Sequence, residues 1–73
     1  MPGLRGLRAE QVIRAFERAG GVRRGGKGSH VNVKMPNGRL VTFSGAGEVK
    51  IGILRKALRL AEITQEQFEE YLG

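Results

Sequence analysis

His30-Val31-Asn32-Val33-Lys34-Met35-Pro36-Asn37-Gly38-Arg39-Leu40-Val41-Thr42-Phe43 is the stretch that decides the fold. Polar and apolar residues alternate from His30 to Met35, the period-two pattern of a half-buried strand. Val31, Val33 and Met35 fall on one face, and His30, Asn32 and Lys34 on the other. Pro36-Asn37-Gly38 then signals a turn, because proline pre-sets one dihedral and Asn-Gly accepts a positive φ. Arg39 to Phe43 reads as the returning strand. The hairpin has one apolar face that must be covered and one polar face left for solvent or ligand.

The cover comes from both sides of the hairpin. Upstream, Ala9, Val12, Ile13 and Phe16 recur at i, i+3, i+4 and i+7, the stripe of an amphipathic helix. The spacing predicts a helix over Arg8–Ala19, ended by Gly20-Gly21. Glu10 precedes Arg14 by four residues, a favourable exposed pairing. A short strand at Val22–Arg24 and a loop at Gly25–Ser29 lead into the hairpin. Downstream, Ser44-Gly45-Ala46-Gly47 connects to a helix over Lys50–Ala61. Ile53, Leu54, Ala57, Leu58 and Ala61 are expected on its inner side, and Arg55, Lys56 and Arg59 on its outer side. Thr64 and Gln67 have capping-box spacing. They open a last short helix with Phe68, Tyr71 and Leu72 on one side. The order α-β-β-β-α-α predicts an α+β two-layer sandwich, a three-stranded antiparallel sheet with helices on one face. At 73 residues the chain is expected to form one domain, residues 1–73.

Charge is unevenly spread. Between Arg23 and Arg59 lie nine lysines and arginines against Glu48 alone, a net of +8, whereas Glu62, Glu66, Glu69 and Glu70 make the tail −4. A concentrated basic segment favours a polyanion such as nucleic acid. A membrane surface fits less well, because the segment holds strands and glycines rather than one long amphipathic helix. No apolar run approaches the ~20 residues that span a bilayer, and Met1–Arg8 lacks the apolar core of a signal peptide. A cytoplasmic location is expected, and the absence of cysteine is compatible with it.

Few groups are available for chemistry. With one histidine and no cysteine, a zinc site is improbable, and neither a metal nor a cofactor is expected. Gly25-Gly26-Lys27-Gly28-Ser29 lacks nucleotide P-loop spacing and runs into a strand instead of a helix. The plainer reading is a solvated hairpin loop. Its glycines also allow close approach of the backbone to a phosphate. The loop delivers His30, which can change protonation near neutral pH. RNA brings its own nucleophile, the 2′-hydroxyl, so one imidazole transferring a proton suffices for a metal-independent reaction. Arg24, Lys27, Gly28, Ser29, Lys34 and Arg39 are the candidates for holding phosphates, through cationic groups and loop amides.

The run Lys27-Gly28-Ser29-His30, after an amphipathic helix and a short strand, resembles the HicA-type mRNA interferase toxins. Ala19-Gly20, Pro36-Asn37-Gly38 and Gly52-Ile53-Leu54-Arg55-Lys56-Ala57-Leu58 extend the resemblance over most of the chain. It implies a dsRBD-like fold, His30 as the catalytic histidine, mRNA as substrate and a HicB-type antitoxin as partner. The sequence departs from that pattern twice. Many members carry Pro-x-His after the third strand, where Thr42-Phe43-Ser44 stands here. Many also carry threonine where Ile53 stands. The loss of the second histidine keeps a rival reading open, a catalytically inactive dsRBD-like RNA-binding module. A third reading is a protein-interaction domain whose basic face docks an acidic partner.

Overall fold

The computed structural model describes residues 4–25 and 30–73. The elements are α1 (Ala9–Arg18), β1 (Val22–Arg24), β2 (His30–Lys34), β3 (Leu40–Ser44), α2 (Ile51–Ala61) and α3 (Gln65–Leu72). The strands form one antiparallel sheet in the order β1-β2-β3, and the α+β class and element order are those expected. Register follows from the turn. Gly38 adopts φ +87° and donates its N–H to the Met35 carbonyl at 2.9 Å, while the Asn37 Oδ1 accepts from the Arg39 N–H at 3.0 Å. The hairpin folds symmetrically about Asn37, so His30 pairs with Ser44, Asn32 with Thr42 and Lys34 with Leu40. Met35 and Arg39 fall just outside the ladder, although the Met35 N–H still donates to the Arg39 carbonyl at 2.8 Å.

Strand alternation buries Val33, Val41 and Phe43 on the inner face, with Val31 partly buried against them. α1 covers that face with Ala9, Val12, Ile13, Ala15 and Phe16, all essentially inaccessible. Phe16 packs against Phe43 and against Phe68 of α3, with ring centroids 5.2 and 5.5 Å away. α2 contributes Leu54, Ala57, Leu58 and Ala61. Ile53, expected on the inner side of α2, is instead 49% exposed. The sheet ends at β3, and no neighbouring strand among the described residues reaches the flank of α2 on which Ile53 sits. The Thr64 capping box forms: the Gln67 N–H donates to the Thr64 Oγ1 at 3.1 Å, and the Thr64 N–H to the Gln67 Oε1 at 3.0 Å. Among the described residues no helix is long and apolar enough to cross a membrane.

Two glycines after α1 have separate structural reasons. Gly20 takes φ +104° to turn the chain. Gly21 lies against the sheet itself. A Cβ there would sit 2.6 Å from the Val33 Cγ1, 2.8 Å from the Met35 Sδ and 2.8 Å from the Phe16 carbonyl oxygen. Gly21 is thus a packing requirement that lets β1 leave α1 flush with the core. At Gly25, by contrast, an added Cβ meets nothing within 4 Å. Gly21→Ala is expected to destabilise the chain by about 1–3 kcal/mol, the usual cost of overpacking, and Gly25→Ala to stay within about 0.5 kcal/mol, as open surface positions do. Urea unfolding of the two variants beside the parent measures both.

Candidate functional site

With α1, α2 and α3 committed to one side, the other face of the sheet is left uncovered. The register arranges its side chains in rows. Arg24 of β1 pairs with Asn32, which pairs with Thr42, and the Thr42 hydroxyl donates to the Asn32 Oδ1 at 2.7 Å. The Asn32 amide nitrogen donates to the Gly25 carbonyl at 3.0 Å, fastening the start of the loop to the sheet. One row further along, His30 stands opposite Ser44; at the other end, Lys34 stands between Val22 and Leu40. His30, Arg24 and Lys34 are all exposed. Arg24 is two positions from His30 along the ladder and one strand across, a distance of about 8 Å from strand geometry. Lys34 is four positions away on the same strand, about 13 Å along it.

Two depressions border this surface. The larger, about 490 Å³, runs along β3 and is walled by α2; His30, Ser44, Ile53, Lys56 and Leu60 line it with the β3 residues. The smaller, about 310 Å³, includes Arg24, Lys34 and Val22. The structure therefore brings Arg24 and Lys34 together at one depression and sets His30 in the other. Arg39 lies beyond the Lys34 end of the sheet, away from His30. Lys27, Gly28 and Ser29 lie outside the described residues.

Two cations change meaning in three dimensions. Arg23, counted with the basic segment, pairs with Val33, and its guanidinium reaches the α1 side instead of the open face. It donates to the Glu17 Oε1 and the Glu10 Oε1, each at 3.3 Å. These bonds, Glu17 first and Glu10 second, raise the Arg23 pKa above its already high ordinary value. Arg23 clamps β1 to α1 and takes little part in the open face. Lys56, read as a solvated outer residue of α2, lines the cleft that holds His30. Its spacing from Ile53 and Leu60, three and four residues, is the one sequence signal that puts it on the cleft flank.

The class defined by these observations is a small α+β protein whose helices cover one side of an antiparallel sheet and whose other side presents a histidine among cations. A family model described as the HicA toxin of bacterial toxin-antitoxin systems matches residues 9–63, from the first residue of α1 to just past α2. The chain belongs to this family of toxins, which act opposite antitoxin partners. A comparison with curated proteins finds no significant match. Ser44 is the residue directly across the ladder from His30.

The two faces can be told apart by charge reversal. Arg24→Glu and Lys34→Glu are each expected to weaken RNA binding several-fold. Each should also flatten the slope of log affinity against log salt by about 0.7 for every phosphate that the side chain neutralises. Arg14→Glu, on the exposed side of α1, is expected to change neither much. Fluorescence anisotropy with a single-stranded RNA over a salt series provides the measurement, and a larger loss at Arg14 would move the binding surface to the helical layer.

Proposed function

We propose that the chain is an mRNA endoribonuclease, the toxin of a type II toxin-antitoxin pair, that cleaves without a metal and uses His30 to transfer the proton. The observation that carries this reading is the position of His30. It is an exposed imidazole at the end of an open sheet face, in a cleft with Lys56 and within reach of the surface that bears Arg24 and Lys34. Family membership supports the toxin role.

The chemistry follows from what RNA supplies. A ribose 2′-oxygen attacks the adjacent phosphorus while the His30 imidazole accepts its proton. The bond from phosphorus to the 5′-oxygen of the next nucleotide breaks, that oxygen takes a proton from water as it leaves, and the His30 imidazolium returns its own proton to solvent. The products are a 2′,3′-cyclic phosphate and a free 5′-hydroxyl. Negative charge grows on the non-bridging oxygens along the way. The ammonium of Lys56, the guanidinium of Arg24 and, by the resemblance, the amides of Gly28 and Ser29 and the ammonium of Lys27 offset it. Lys34 and Arg39, farther along the sheet, hold flanking phosphates and set the strand's path. A HicB-type antitoxin is the partner this reading calls for.

His30→Ala is expected to lower cleavage by about 10²–10⁴-fold, the usual worth of a positioned proton-transfer group, with the fold and RNA affinity retained. The assay compares parent and variant on a mixed RNA in EDTA, and parent on the same RNA with its 2′-hydroxyls methylated, which should resist cleavage. Equal cleavage by parent and variant overturns the role of His30. Binding without cleavage by both identifies a non-catalytic RNA-binding module.

A further inference from the structure

β3 is an edge strand, since the sheet order is β1-β2-β3. Its sequence, Leu40-Val41-Thr42-Phe43-Ser44, contains no charge and no proline. Proteins ordinarily blunt such an edge with lysine, proline, a bulge or a cover, because its unpaired backbone groups template strand addition. The cleft beside it is lined by all five β3 residues in succession, so it follows the strand from end to end. Across from β3 the wall is apolar, with Ile53, Ala57 and Leu60 of α2. Leu40 and Ile53 are each 49% exposed, the largest exposed hydrophobics of that region.

The backbone phase of β3 can be worked out. The Met35 N–H donates to the Arg39 carbonyl, which makes this a hydrogen-bonded pair. Along an antiparallel ladder such pairs alternate with non-bonded ones. Val41 and Phe43 therefore turn their backbone groups toward β2, whereas Leu40, Thr42 and Ser44 turn theirs toward the cleft. Three N–H donors and three carbonyl acceptors point along one side of it.

We propose that this cleft docks an extended, acidic segment of the antitoxin, which adds to β3 as a fourth strand and ends against His30. The proposal rests on the toxin reading and adds to it the surface, the geometry and the chemistry of capture. Main-chain hydrogen bonds to Leu40, Thr42 and Ser44 supply affinity, and alternate side chains seat against Ile53, Ala57 and Leu60. Among the described residues, the titratable groups lining the cleft are His30 and Lys56 and no carboxylate lines it, so acidic residues at the segment's other positions complement it. A second copy of the chain fits less well. Pairing two β3 strands antiparallel would bring two Lys56 side chains and two cationic faces to one seam, in a chain of net charge +6. RNA fits less well again, because a nucleic-acid backbone has only its 2′-hydroxyls to answer a row of carbonyls. A strand seated here shuts the cleft that holds His30, so capture and inhibition are one event.

Amide hydrogen exchange on the full chain, alone and co-expressed with its cognate antitoxin, tests the proposal. The expected result is alternation. The amides of Leu40, Thr42 and Ser44 exchange quickly in the free chain and become protected in the complex, while Val41 and Phe43 are protected in both. Ile53→Glu, at an already exposed position, is expected to weaken antitoxin binding by about tenfold or more and to leave the fold, read by circular dichroism, unchanged. A stable complex in which Leu40, Thr42 and Ser44 exchange as in the free chain overturns the docking mode and leaves the partnership standing. Absence of any complex overturns both. Protection of the same amides by added RNA, or by raising the concentration of the chain alone with a dimer mass, assigns the edge to substrate or to self-association and likewise overturns the proposal.

Discussion

Phe16 is the side chain on which the architecture turns. It projects from α1 between Phe43 of the sheet and Phe68 of α3, and all three rings are fully buried. Tilted aromatic pairs of this kind each add about 0.5–1.5 kcal/mol beyond the area they bury. In a chain of 73 residues without disulfides that is a large share of the net stability. The cluster also dictates what is left over. Because α1 and α2 spend their apolar sides on one face of the sheet, with α3 packed against α1, the other face is free to be polar. Gly21 makes the arrangement possible, by letting β1 depart from α1 without a side chain between Phe16 and Val33.

The open face inherits its order from the hairpin. A turn centred on Asn37 sets the register, and the register lines up His30 with Ser44 and Asn32 with Thr42. Asn37 also ties the turn to α2, its amide nitrogen donating to the Leu60 carbonyl at 2.9 Å. The same turn that places His30 in the sheet therefore also holds the helix that walls the cleft beside it. Arg23 clamps β1 from behind, and Arg24, its neighbour, projects from the opposite, open face.

Much of this was legible in the sequence wherever a period was long enough to show. The alternation from His30 to Met35 and Pro-Asn-Gly defined the hairpin, four apolar residues at helical spacing defined α1, and the Thr64–Gln67 pair marked the start of α3. Three features escaped. Ile53 reads as core because Ile53, Leu54, Ala57, Leu58 and Ala61 form one broad apolar stripe, and only the end of the sheet at β3 decides which edge of that stripe stays uncovered. Arg23 reads as part of a basic face because a strand of three residues is too short to reveal its phase. Lys56 reads as solvated because its spacing from Ile53 and Leu60 shows which flank of α2 it occupies but not that this flank walls the cleft holding His30, which depends on how α2 crosses β3. The family resemblance pointed to His30 and to the element order, whereas the path of the cleft along β3 emerged only from the fold.

The central claim is that the uncovered sheet face, with His30 at its end, is the working face of the toxin. Backbone and imidazole NMR of the ¹⁵N-labelled chain, titrated with a short 2′-O-methylated RNA that lacks the nucleophile, tests it most directly. Shifts are expected to concentrate at Arg24, His30, Asn32, Lys34 and Thr42, with the His30 ring among the largest, while α1 and α3 stay silent. Shifts centred on the exposed sides of α1 and α3, with the sheet face unchanged, would contradict it.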